Sequence, residues 1–282
     1  MGCGDVGLRV AQALPSGVRV LALTSSSQRV AELRAQGITP LLGDLDQPRT
    51  LRRLAGLATR VLHLAPPPSQ GWTDPRSRPL AQALRRRSAA AALVYGSTSG
   101  VYGDCQGDVV DETRAVNAHT PRAIRRVDAE RAVRFLGRGS ATRTSILRIP
   151  GIYAPNRGGG TPRERLLKGV PVLQAQDDVY TNHIHADDLA RACVAALWRG
   201  RPQRVCNVND DSDLKMGDYF DLAADLFGLA RPARVPRSTA QGELPLLLLS
   251  FMSESRRMDN TRLKRELRLR LRFPTAETGL LS

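Results

Sequence analysis

Three glycines at G-x-G-x-x-G spacing, Gly2, Gly4 and Gly7, lie in the opening stretch Met1-Gly2-Cys3-Gly4-Asp5-Val6-Gly7. Such spacing builds an anion site. The first glycine permits a tight turn, the second lets backbone approach a pyrophosphate, and the third lets the next helix pack close to a sheet. The free N–H groups and the dipole at the helix start then face the phosphates. A helical run (Leu8, Val10, Ala11, Leu14) follows at once, and Pro15-Ser16-Gly17 ends it. The motif ordinarily follows a strand, and in this sequence Met1 alone precedes it.

A second chemical stretch is Gly96-Ser97-Thr98-Ser99-Gly100-Val101-Tyr102-Gly103. Its hydroxyls gather just past the apolar strand Ala92-Leu93-Val94-Tyr95, at the strand end where open parallel sheets bind ligands. A third stretch, Thr24-Ser25-Ser26-Ser27-Gln28-Arg29, stands where a carboxylate would hold the adenosine ribose of NAD. It has no Asp or Glu. Ser25 and Arg29 suit a 2′-phosphate, which favours NADP over NAD; the bland alternative makes Arg29 an exposed residue of the next helix. His183 and His185, two apart on a strand, share one face. No third ligand accompanies them, so a structural pair near the Asp187 helix start is preferred to a metal pair, and no metal is expected. Arg157, Arg163 and Arg165 read as a solvated Arg-rich loop rather than an anion grip.

The elements that position these residues alternate. After the first helix come a strand at 18–23, a helix at 28–36, a strand at 38–42 and a helix at 50–57. A strand at 61–65, a helix at 80–91 and the strand at 92–95 continue the order. Later come a long helix over 121–136, a strand at 144–149, a helix at 189–198, a strand at 205–208, a helix at 216–227 and a basic tail helix at 261–268. The alternation predicts an α/β fold, a Rossmann-type doubly wound parallel sheet with a small C-terminal substrate lobe. Residues 1–150, with the return segment 181–210, would form the nucleotide-binding core. Residues 151–180 and 211–282 would form the lobe.

With 41% hydrophobic residues over 282, the chain can bury a core. The net charge is +15, but only three basic residues are lysines (Lys168, Lys215, Lys264) and the arginines are spread throughout. That dispersal, with 4% aromatics, argues against a nucleic-acid surface and leaves an anionic small molecule favoured by the field. Four separated cysteines without C-x-x-C, no signal-peptide pattern and no long apolar run predict a cytoplasmic protein without a membrane partner.

With these residues in hand, the sequence resembles the short-chain dehydrogenase/reductase superfamily, in its extended and atypical branch, the NAD-dependent epimerase/dehydratase family. Gly-Cys-Gly-Asp-Val-Gly looks like the cofactor turn, and Gly43-Asp44-Leu45 like the element whose Asp meets adenine. Leu62-His63-Leu64-Ala65 looks like the strand end beside the cofactor, and Ser97 to Gly103 like the S-[ST]-x-x-V-Y-G segment. Pro150-Gly151-Ile152-Tyr153-Ala154-Pro155 is similar to the Y-G-P turn, and Ile184-His185-Ala186-Asp187-Asp188-Leu189-Ala190 to the I-H-V-D-D-L-A signature. The resemblance implies that Gly2, Gly4, Asp5, Val6, Gly7, Ser25, Arg29, Asp44, Leu45, Leu64, Ala65, Ser97, Arg126 and Pro150 line a cofactor site, that Thr98 and Tyr102 sit at the reacting centre with Thr98 orienting a substrate oxygen, and that Tyr102, Tyr153 or a water supplies the proton.

Two departures follow. The family's Tyr-x-x-x-Lys pair falls on Arg122 and Arg126, and no Tyr lies between Tyr102 and Tyr153. An arginine cannot deliver a proton near neutral pH, although Arg126 can hold ribose hydroxyls or a phosphate. The strand before the cofactor turn is also missing. It belongs in mid-sheet, so its loss leaves two neighbours unpaired, and the expectation is that the true start lies upstream. The chain therefore reads as an atypical NADP-binding oxidoreductase or epimerase-like enzyme acting on a small, phosphate- or nucleotide-bearing substrate. The competing reading is a catalytically silent NADP-binding redox sensor or assembly factor. A homodimer is compatible with either.

Overall fold

Short apolar segments separated by helical turns pair here as parallel strands. The computed structural model describes residues 1–282, with the side chains of Glu243, Leu246 and Leu247 left aside. The chain opens with α1 (Asp5–Ala13), β1 (Leu21–Thr24), α2 (Arg29–Ala35), β2 (Thr39–Leu42) and β3 (Arg60–His63). It continues with α3 (Ser77–Leu84), β4 (Ala92–Thr98) and α4 (Pro121–Arg138). The strands Arg143–Ile149 and Arg204–Asn207 join β4 and β3 in one parallel sheet, in the order Arg204–Asn207, Arg143–Ile149, β4, β3. β1 and β2 pair in parallel as a separate two-stranded sheet.

Six of the seven residues of β4 are buried, because helices cover both faces. Leu93 and Tyr95 face α3 and α4, packing with Leu80, Leu84, Val133 and Leu136. The alternate residue Val94 faces the other way, with Val10 of α1 and with Leu189 and Cys193 of the helix Ala186–Arg199. A third core gathers Leu166, Leu173, Tyr219, Phe220 and Leu280 beyond the strand ends. The α/β architecture with parallel strands is as the pattern predicts.

Several boundaries differ. The strand expected over 18–23 is Leu21–Thr24, and Val18 is 40% exposed. The helix expected over 50–57 is a 3-10 turn, Pro48–Leu54. The helix expected over 80–91 starts at Ser77 and ends at Leu84. Asp74 sets the early start, since its carboxylate accepts from the Arg76 and Ser77 amides at 3.0 and 3.2 Å. The basic tail helix stops at Arg265.

Candidate functional site

The Gly2 backbone has φ +76°, and a Cβ there would lie 2.3 Å from the Ala65 nitrogen. Glycine is therefore required both for the turn and for its approach to the end of β3. A Cβ at Gly7 would meet the Gly2 carbonyl at 2.9 Å. At Gly4, by contrast, a Cβ would meet nothing within 4 Å. Gly4 is the residue before α1, no side chain caps the helix, and its first amides stay available to an anion.

These amides open into a cavity of about 590 Å³ at the C-terminal ends of the strands. The cavity brings together every cofactor-site residue expected from the sequence. Gly2, Gly4, Asp5, Val6 and Gly7 form one wall. Ser25 and Arg29 follow β1, Asp44 and Leu45 follow β2, and Leu64 and Ala65 follow β3. Ser97 and Thr98 end β4, with Arg126 and Pro150 opposite. Ser97 Oγ is buried without a hydrogen-bond partner, while Thr98 Oγ1 accepts from the Gly100 amide at 3.3 Å.

Four arginines line the cavity. Arg29 pairs with Glu32 at 3.2 Å, one helical turn away. Arg76 pairs with Asp46 at 2.5 Å and donates to the Pro66 carbonyl at 2.8 Å. Arg157 pairs with Asp5 at 3.2 Å. Arg126 has no carboxylate partner among the described residues. Its Nη1 donates to the Gly96 carbonyl at 2.7 Å and to Tyr95 Oη at 3.1 Å. Sequence reasoning missed Arg76 and Arg157 as cavity residues, because each lies in a polar loop whose path only the fold defines. Arg163 and Arg165 instead cover the rings of Phe227 and Phe220.

The tyrosines lie elsewhere. Tyr102, placed at the reacting centre by sequence, is 1% exposed and outside the cavity lining. Its hydroxyl donates to Asn207 Oδ1 at 2.7 Å, the Arg148 guanidinium lies 4.6 Å from its ring, and burial pushes its pKa up. Tyr153 donates to the Thr275 carbonyl at 3.1 Å, and burial likewise raises its pKa. Arg122 stacks over Phe251 at 4.6 Å. Among the described residues lining the cavity there is no phenol, imidazole or lysine amine.

The histidine pair has structural contacts. His183 stacks on Tyr219 at 3.9 Å. His185 Nδ1 accepts from the Asp187 amide at 3.2 Å and caps the helix Ala186–Arg199. Asp188 accepts from the Arg272 and Phe273 amides and holds the C-terminal segment.

The cavity's glycine turn and strand-end hydroxyls coincide with a family model, described as "NAD dependent epimerase/dehydratase family", that matches residues 2–209. The chain belongs to this family. Among solved structures, a functionally unknown conserved protein from Silicibacter pomeroyi DSS is 30% identical, with TM-score 0.81, over 99% of this chain and 95% of that one. UDP-glucose 4-epimerase from Thermotoga maritima, solved with UDP-glucose, is 20% identical with TM-score 0.78, over 98% and 94% of the two chains. UDP-glucuronic acid 4-epimerase from Bacillus cereus, solved with NAD, is 17% identical with TM-score 0.75, over 98% and 93%. At those last two identities the likeness carries the fold alone. No protein of curated function matches the chain.

The residues of this epimerase-family chain fit a dinucleotide. Gly4 leaves room for a pyrophosphate beside the α1 amides, and the partnerless Ser97 Oγ and Arg126 have hydrogen-bonding capacity at the opposite end.

Proposed function

We propose that this epimerase-family chain is an NADP-binding oxidoreductase or epimerase-like enzyme acting on a small substrate that bears a phosphate or a nucleotide. The observation that carries the reading is the placement of the glycine turn, the Ser25–Arg29 segment and the Thr98–Arg126 pair around one cavity. The absence of a carboxylate at 24–29 supports NADP over NAD. A nicotinamide ring supplies hydride chemistry when bound. Thr98 Oγ1 orients the substrate oxygen, and Arg126 stabilises negative charge that develops on it. The proton passes through a water, since neither Tyr102 nor Tyr153 reaches the cavity. NADPH fluorescence titration, followed by turnover assays on carbonyls and nucleotide sugars, tests the reading. Absence of binding for both nicotinamide nucleotides overturns it.

The second reading, a catalytically silent NADP-dependent sensor or assembly factor, is favoured by one observation: arginines stand where the family keeps its Tyr and Lys. Tight NADPH binding without turnover, unchanged by Thr98→Ala, selects it. Under either reading the protein is proposed to be cytoplasmic; among the described residues no helix is long and apolar enough to cross a membrane. A homodimer through α3 and α4 belongs to the proposal. It is supported by Phe135, 63% exposed on α4, and tested by sedimentation.

A further inference from the structure

The loop between the strand Gly151–Tyr153 and the helix Arg163–Leu167 is tied to the start of α1. It folds back on itself first. The Arg157 amide donates to the Ala154 carbonyl at 3.3 Å, the Gly160 amide to the Arg157 carbonyl at 2.9 Å, and the Ala154 amide to the Gly160 carbonyl at 3.1 Å. These bonds make the loop a preformed arm that presents two side chains to α1. Asn156 Oδ1 accepts from Arg9. Arg157 donates from Nη1 to the Ile152 carbonyl at 3.1 Å and turns its Nε towards Asp5.

Asp5 is an unusual residue for a phosphate turn. It opens α1, where free amides and the helix dipole attract an anion, and its carboxylate already stands in the cavity. Its Oδ1 accepts from Arg9 Nε at 3.1 Å. Its Oδ2 lies 3.2 Å from Arg157 Nε, but the N–H is misaligned: both atoms are buried and neither has a hydrogen-bond partner. A buried guanidinium N–H left unsatisfied in a cavity wall marks a place where another acceptor fits. The two arginines are not equivalent. Arg9 is also held by Asp187 and Asn156, whereas among the described residues Asp5 is the one carboxylate that Arg157 meets.

We propose that Arg157 is a diphosphate clamp and that Asp5 is its resting counter-ion. A diphosphate seated on the α1 amides draws the guanidinium from Asp5 Oδ2 to a phosphate oxygen, and the arm closes on the ligand. The exchange replaces a misaligned pair by a charge-assisted hydrogen bond to a more highly charged acceptor. Asp5 keeps Arg9, so its charge is not left bare beside the phosphates. The inference rests on the nucleotide reading for the ligand's place, but its readout is the diphosphate alone and needs no nicotinamide.

Calorimetric titration with ADP and with inorganic pyrophosphate tests it on the parent, Arg157→Ala, Arg157→Lys, Asp5→Asn and the double variant Asp5→Asn with Arg157→Ala. Arg157→Ala is expected to weaken ADP binding about tenfold, and Arg157→Lys to weaken it less, since a point charge replaces the planar fork. Asp5→Asn should tighten ADP binding about threefold or more, because it removes a like charge beside the anion and frees the clamp. In the Arg157→Ala background that gain should shrink, since there is no guanidinium left to free. A tie that merely holds the cavity in shape weakens binding in both single variants, and that result overturns the proposal. So does an ADP affinity unchanged in Arg157→Ala, or a parent that binds no ADP at millimolar concentration. Parallel NADPH and NADH titrations keep the two readings apart: failure of both nicotinamide nucleotides on a chain whose ADP affinities follow the expected order overturns the cofactor reading and leaves the clamp standing.

Discussion

Arg126 donates from Nη1 to the Gly96 carbonyl at 2.7 Å, pinning a guanidinium of α4 to the end of β4 beside Thr98. A fixed cation at that point suits ribose hydroxyls, a phosphate or a developing oxyanion, and not proton transfer. Arg126→Ala is expected to weaken NADPH binding tenfold to a hundredfold, the equivalent of about 1.5–3 kcal/mol for hydrogen bonds to a charged group. Arg126→Lys should restore only part of it. Fluorescence titration of the two variants checks this, and unchanged affinity in Arg126→Ala removes the residue from the site.

Gly2 and Gly4 should separate folding from binding. Gly2→Ala combines positive φ with a Cβ 2.3 Å from backbone, and is expected to cost about 2 kcal/mol or more of stability. Gly4→Ala meets no protein atom and keeps an extended backbone, with φ −84° and ψ −155°. Its unfolding free energy should stay within about 0.5 kcal/mol of the parent while nucleotide affinity falls at least about tenfold, because the methyl occupies the pyrophosphate's approach. Calorimetry beside NADPH titration reads both.

Arg29 should set cofactor choice. Its guanidinium is shared with Glu32. Glu32→Ala should release it and improve NADPH over NADH, whereas Arg29→Ala should lower the NADPH preference by about tenfold, within the worth of a charged hydrogen bond. Ratios of the two dissociation constants decide, and a ratio indifferent to both changes would assign Arg29 to the α2 surface.

The buried pair Arg148–Glu130 should behave as a unit. Two bonds, at 3.2 and 3.0 Å, join side chains only 3% and 4% exposed. Arg148→Met alone is expected to cost about 3–5 kcal/mol by stranding the carboxylate. Adding Glu130→Leu should recover most of that loss in urea unfolding. Additive losses would mean that the pair is not coupled.

Asp210 should give stability a pH dependence of known sign. Burial pushes its carboxyl from the ordinary 3.8 up to about 7. The folded chain then holds a proton that the unfolded chain releases. That contribution is full below about pH 3.8 and is lost as the pH rises through 7. Asp210→Asn keeps a carbonyl for the Ser212 amide at 3.0 Å and removes the titration. Its midpoint should exceed the parent's at pH 8 and match it at pH 4. His183, lowered to about 4 by burial, loses stability in the opposite direction as pH falls below 6.5, but it is common to both proteins and drops out of their difference.

Local chemistry was enough to read much of the cavity's lining. The Gly43-Asp44 element was legible only through the family resemblance, whereas the G-x-G-x-x-G turn and the hydroxyl-rich strand end need particular residues at one backbone position each, so they are legible without knowing what lies across the sheet. The parallel α/β order was legible for the same reason, from hydrophobic period and glycine or proline punctuation. Tertiary structure alone decided which long side chains share the cavity. Arg76 and Arg157 enter it because loops bring them within reach of Asp46 and Asp5. Tyr102 leaves it because packing turns its hydroxyl towards Asn207, 105 residues away. Contacts at such separations depend on the closure of the sheet and on which face each strand buries, and no pattern of neighbours along the chain encodes them.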